Sequence, residues 1–135
     1  MNDVPAASDQ RPVVLIVEDD SFISTDLENS LAESFWVVTA ANGAEAREIL
    51  TKHPVALIVL DILLPDENGF AFLEGLKRDS SPYKDIPILI LSNLDQPEDI
   101  AQGKKLGAVD YLVKAKQLPS DVVKKITSIL GRPGA

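Results

Sequence analysis

VALIVLDILLPDENGF, residues 55–70, carries the logic of the fold in one stretch. Val55–Leu60 is six apolar residues in a row, half of them β-branched, too short for a helix and too uniformly apolar for a strand with one wet face. Such a run reads as a strand buried on both sides. A single carboxylate, Asp61, stands directly at its end. Pro65, Asp66 and the Asn68-Gly69 pair then break the chain, and Asn68 is placed to cap a helix whose apolar positions are Phe70, Leu73 and Leu76.

The same alternation repeats outward in both directions. Apolar runs at Val13–Val17, Trp36–Ala40, Ile86–Leu91 and Val109–Val113 share the length and β-branched content of Val55–Leu60. Between them lie segments with helical spacing: Phe22, Ile23, Leu27 and Leu31; Ala46, Ile49 and Leu50; Ile100, Gly103 and Leu106; Val122, Val123, Ile126, Ile129 and Leu130. Asp20 or Ser21 is expected to cap the first helix and Ser120 the fifth. Asn42-Gly43, Gly107 and Gly131 mark breaks. Five strands alternating with five helices predict right-handed crossovers and a doubly wound parallel α/β sheet covered on both faces. The expected division is a lead-in over 1–12, one domain over 13–131 and a short tail over 132–135.

Composition narrows the chemistry. The 135 residues suit a single domain and include no cysteine and one histidine, His53. Thiolate metal sites and disulfides are excluded, and a His-based zinc site or Ser-His-Asp triad has little to build on. A net charge of −8 argues against binding nucleic acid through the whole surface. Residues 1–100 carry 6 basic and 19 acidic side chains, whereas 101–135 carry 7 basic and 2 acidic. That asymmetry reads either as a solvated surface or as a docking face near the C-terminal end. No apolar run reaches membrane-spanning length and the first dozen residues lack a signal-peptide core, so a cytoplasmic location is expected.

In an open parallel sheet, ligands bind beyond the carboxyl ends of the strands. The residues that follow the runs are Glu18-Asp19-Asp20, Asp61, Ser92-Asn93 and Lys114; the second run ends in Ala40-Ala41. Each has a plain explanation alone, as a cap, a turn residue or a solvated charge. Together they place several carboxylates, a hydroxyl and an ammonium at one edge. Clustered carboxylates repel unless a cation joins them, and oxygen-only ligands point to magnesium, or to manganese or calcium. Asp61 is then the natural nucleophile toward phosphorus, with the metal, Lys114 and Ser92 around the phosphoryl oxygens.

Four motifs in order make the chain similar to the receiver domains of two-component response regulators: LIVEDD (15–20), LIVLDILLPDENG (57–69), ILILS (88–92) and GAVDYLVK (107–114). The resemblance spans about Val13 to Leu130. It implies a flavodoxin-like sheet of strand order 2-1-3-4-5. It implies Glu18 and Asp19 as magnesium-pocket acids, Asp61 as phosphoacceptor and the backbone carbonyl of Leu63 as a further metal ligand. Ser92 and Tyr111 are implied as the switch pair and Lys114 as the partner of the phosphoryl group, with Pro65 and Gly69 in the turn. Four positions depart from the family pattern: Ala115 where proline is usual, which puts a cis Lys114–Ala115 peptide in doubt; Asn93 where a smaller residue is commoner; and apolar Leu63 and Leu94 flanking the site.

The resemblance implies a switch phosphorylated by a sensor histidine kinase or a histidine phosphotransfer protein. It implies a downstream effector, or a second copy of the chain, on the face of the fourth helix, fifth strand and fifth helix. Lys104, Lys105, Lys116, Lys124 and Lys125 lie in that region. Enzymes of the phosphatase and dehalogenase type place a second aspartate two residues after the nucleophile. Leu63 occupies that position, which argues against turnover of external substrates. A non-phosphorylated interaction module, or the first domain of a longer regulator, are the alternative readings.

Overall fold

A computed structural model describes residues 11–131. Five strands, β1 (Val13–Val17), β2 (Trp36–Ala40), β3 (Val55–Leu60), β4 (Ile88–Ser92) and β5 (Asp110–Val113), alternate with five helices. These are α1 (Ser21–Leu31), α2 (Gly43–Lys52), α3 (Gly69–Lys77), α4 (Pro97–Lys105) and α5 (Pro119–Leu130). All strand pairings are parallel and the order is β2-β1-β3-β4-β5.

The period-2 geometry of a strand divides the apolar runs between two cores. Val13, Leu15 and Val17 join Ile58, Leu60, Ile88, Ile90 and Tyr111 on one face, under Ala46 and Leu50 of α2 and Phe70, Leu73 and Leu76 of α3. Val14, Ile16, Leu57, Val59, Leu89 and Leu91 point the other way, onto Leu27 and Leu31 of α1 and Val122 and Ile126 of α5. Burial on both faces is why these strands read as continuous apolar runs.

Local signals hold with small corrections. Asp20, not Ser21, caps α1, accepting from the amides of Phe22 and Ile23. Phe22, expected on the inner face of that helix, is 85% exposed; Leu27 and Leu31, four residues apart, set the buried stripe, and Phe22 falls one position out of phase. Asn42 and Asn68 cap α2 and α3. Ser120 does not cap α5: Pro119 occupies its first position, and the Asp121 carboxylate reaches back to the Leu118 amide at 2.8 Å. β4 starts at Ile88 rather than Ile86, because Pro87 has no amide to give the ladder. Arg11 and Pro12 are tied to the domain: the Arg11 guanidinium bonds the Ala32 carbonyl at 2.8 Å and the Trp36 amide bonds the Pro12 carbonyl. The rest of the expected lead-in, and the tail after 131, lie outside the described residues.

Candidate phosphoacceptor and metal site

Strand register brings the pocket together. Val17 pairs with Leu60, so Glu18 and Asp61 leave adjacent central strands side by side. The Asp61 amide donates to the Val17 carbonyl at 3.0 Å, and the Glu18 amide to Ala40 at 2.9 Å. Ser92 pairs with Val113, which puts Lys114 one residue past the end of β5. Glu18 and Asp61 are buried and Asp19 is exposed; an oxygen from each of the three lies within 4.8 Å of the others.

Lys114 neutralises part of this negative charge. Its Nζ lies 2.5 Å from Glu18 Oε1 and 2.7 Å from Asp61 Oδ2, with the lysine side chain only 12% exposed. Burial pulls the Lys114 ammonium down, but the bonds to Asp61 and Glu18 outweigh it and carry its pKa above 10.5. Glu18 moves in the protonated direction: burial raises it above 4.5, and its bonds to Lys114 and the Asp20 amide offset this only in part. One ammonium against three carboxylates leaves a net negative pocket of hard oxygen donors, which fits magnesium. Asp61 Oδ1 accepts the Leu63 amide at 3.1 Å, fixing the Asp61 carboxylate against its own loop.

That loop is braced from outside the pocket. Gly69 donates to the Ile62 carbonyl, and Leu63 and Asn68 form an antiparallel bridge. A Cβ at Gly69 would sit 2.5 Å from Ile62 Cα and 2.8 Å from the Asp61 carbonyl, so the turn closes over Asp61 only because residue 69 has no side chain. Asp66 accepts the amides of Gly43 and Ala44 at 2.9 and 3.1 Å, at the start of α2. Glu67 takes both nitrogens of Arg47, whose guanidinium lies 4.8 Å from the Phe72 ring centroid. These braces join residues about twenty positions apart, and local spacing gave no sign of them.

Ser92 is fully buried, its Oγ accepting the Leu94 amide at 3.4 Å. Tyr111 is buried too, and its hydroxyl donates to the Leu94 carbonyl at 2.6 Å. The two sit on the adjacent strands β4 and β5 and share Leu94 as partner. Asn93 is exposed, and its Oδ1 accepts the Ala115 amide at 3.0 Å. No peptide bond among the described residues is cis, Lys114–Ala115 included. Leu63 is 54% exposed.

The class of protein this fold and pocket define is confirmed by comparison. Residues 14–127 match the response regulator receiver domain, and the chain belongs to that family. Receiver domains are phosphoacceptor switches of two-component signalling, phosphorylated on aspartate with magnesium; they are not enzymes in the ordinary sense. The chain is 37% identical over 120 residues to a probable transcriptional regulator, ycf27, of Cyanidium caldarium, covering 88% of this chain and 46% of that protein. It spans about half the length of most curated relatives it matches. Among solved structures it resembles the chemotaxis protein CheY4 of Vibrio cholerae (32% identity, TM-score 0.79, covering 88% of this chain and 98% of that one). It also resembles the Mn(2+)-bound response regulator Rcp1 (26% identity, TM-score 0.76, covering 88% and 94%). Receiver domains work with histidine kinases and effector domains. Among the described residues no helix is long and apolar enough to cross a membrane.

Proposed function

We propose that Asp61 is the phosphoacceptor of this chain and that Glu18, Asp19, Asp61 and the Leu63 carbonyl hold the magnesium ion. The observation that carries this reading is the buried Asp61 carboxylate, paired to Lys114 at 2.7 Å and within 4.8 Å of two further carboxylates. An Asp61 oxygen attacks phosphorus, the P–N bond of a phosphohistidine breaks, and the imidazole leaves with that electron pair. Magnesium, when bound, offsets the charge of the phosphoryl oxygens as they approach a carboxylate. Lys114 turns its ammonium from Asp61 to a phosphoryl oxygen, and the Ser92 hydroxyl donates to another. The donor is a sensor histidine kinase or a histidine phosphotransfer protein. The Mn(2+)-bound form of the similar response regulator Rcp1 supports a divalent ion as the group held.

Ser92 and Tyr111 transmit the event. When Ser92 turns to the phosphoryl group, its bond to the Leu94 amide is released, and Tyr111, bonded to the Leu94 carbonyl, follows. The effector then meets the α4–β5–α5 face. Lys104 and Lys125 there both pair with Asp110, at 3.7 and 2.7 Å. Lys105 and Lys124 show no ion pair among the described residues and remain for an acidic partner or a second copy. A DNA-binding or catalytic output domain beside this segment accords with the greater length of the relatives, which include a probable transcriptional regulator and a probable cyclic di-GMP phosphodiesterase. The function is tested by intact mass after incubation with magnesium and acetyl phosphate. One added phosphoryl group that requires magnesium and is lost in Asp61→Asn supports it; the same gain in Asp61→Asn overturns it.

A further inference from the structure

We propose that Asn93 is a positioning residue for Lys114, acting through the bond from the Ala115 amide to Asn93 Oδ1. The inference rests on the phosphoacceptor reading above and adds a device that sets its rate. β4 and β5 are paired up to Ser92 and Val113, where the ladder ends. Beyond that point the two chains carry the groups that must face one phosphoryl oxygen set: Ser92 on one, Lys114 on the other. The 3.0 Å bond from Ala115 to Asn93 ties them together just past the last ladder pair, one residue beyond Ser92 and two beyond Val113.

The geometry makes this bond the hold on the lysine segment. Lys114 begins a single 3-10 turn, Lys114–Lys116, closed by the Gln117 amide on the Lys114 carbonyl at 3.1 Å. That turn has no buried residue to anchor it. The Lys114 side chain reaches inward, but its two partners are the carboxylates it must partly release when a phosphoryl group arrives. At that moment the Asn93 bond is the contact that keeps the lysine backbone in place. On the other side of the same segment, Tyr111 holds the Leu94 carbonyl. Residues 93 and 94 are thus held at two points, Leu94 by Tyr111 of β5 and Asn93 by Ala115 of the 3-10 turn, and a movement of Tyr111 reaches Lys114 through them.

The departures at 93 and 115 are therefore one feature. The backbone amide of Ala115 is a donor that proline would lack, and the side-chain oxygen Oδ1 of Asn93 is the acceptor.

The test compares wild type, Asn93→Ala, Ala115→Pro and the double variant. Amide hydrogen exchange is measured at Ala115 in wild type and Asn93→Ala and at Gln117 in all four proteins, and magnesium-dependent phosphorylation is followed against acetyl phosphate concentration. Loss of one hydrogen bond is expected to speed exchange at both amides in Asn93→Ala and to lower the maximal phosphorylation rate about 3- to 10-fold. The half-saturating donor concentration and the urea midpoint stay near wild type, which a purely structural role would not leave alone. The double variant is no slower than the slower single one, since both remove the same bond. Unaltered exchange in Asn93→Ala, or a double variant slowed by the product of the single effects, would overturn the proposal. If wild type itself takes up no phosphoryl group, the phosphoacceptor reading falls, and exchange alone decides the clamp: faster at Ala115 and Gln117 upholds it, unchanged overturns it.

Discussion

Replacing Lys114 with methionine tests the charge balance of the pocket. The side chains involved are nearly out of solvent: 12% exposed for Lys114, 3% for Glu18 and 4% for Asp61. Methionine keeps the packing of the aliphatic stem but leaves two buried carboxylates without their cation. Removing one partner of a buried ion pair costs roughly 3–5 kcal/mol. Glu18, already pushed toward protonation by burial, can take up a proton and limit that cost, so about 3 kcal/mol is expected at neutral pH. The sign of the pH dependence follows from Lys114. Its folded pKa lies above 10.5, so the stability it contributes is complete below 10.5 and is lost as pH rises through the folded value. Magnesium should act in the opposite sense to the mutation. With the ammonium gone, a cation meets a more negative pocket, and its affinity rises by at least about tenfold, worth about 1.4 kcal/mol. Urea unfolding in EDTA and in excess magnesium measures both effects, because a ligand bound only by the folded state stabilises it by mass action. Lys114→Met should be less stable than wild type in EDTA and should gain more from magnesium than wild type does. Equal stability in EDTA, or an equal or smaller magnesium gain, would refute the reasoning.

Leu63 at the exposed rim offers no group to orient attacking water, so Leu63→Asn should shorten the phosphorylated lifetime by about tenfold, the effect of one transition-state hydrogen bond. Decay of the phosphorylated protein, followed by intact mass, checks this; a longer lifetime in the variant contradicts it. Asp110→Asn should lower stability at pH 7 by about 0.5–1 kcal/mol, the scale of a partly exposed ion pair. Burial raises the Asp110 carboxyl, but Lys125, the Tyr111 amide and Lys104 outweigh it and hold its pKa below 3.8. Its contribution is therefore present above 3.8 and lost as pH falls through the folded value, so urea midpoints of variant and wild type should converge in acid.

The pocket was legible in the sequence because parallel strands buried on both faces stand out as apolar runs, and each chemical residue sits one or two positions after such a run. Glu18, Asp19, Asp61, Ser92 and Lys114 could be placed at one sheet edge from that rule alone. One carboxylate after a strand is equally a turn residue; the cluster suggested a metal and a nucleophilic Asp61, and the family resemblance gave the separate roles of Glu18, Asp19, Ser92 and Tyr111. Phe22 was misplaced because an apolar residue in the first turn can fall on either side of the buried stripe. Ser120 was a plausible cap, but Pro119 starts the helix one residue earlier. The Asp66 and Glu67 braces onto α2, and the Asn93–Ala115 bond, depend on which side chains of distant segments meet, and spacing along the chain carries no record of that.

The central claim is that Asp61 takes the phosphoryl group. The direct measurement is to phosphorylate the protein with magnesium and acetyl phosphate, reduce the acyl phosphate with borohydride, and locate the modified residue by peptide mass spectrometry. The account predicts a single reduced aspartate, at Asp61, formed only with magnesium. Modification at another residue, or none in the folded, magnesium-loaded protein, would contradict it.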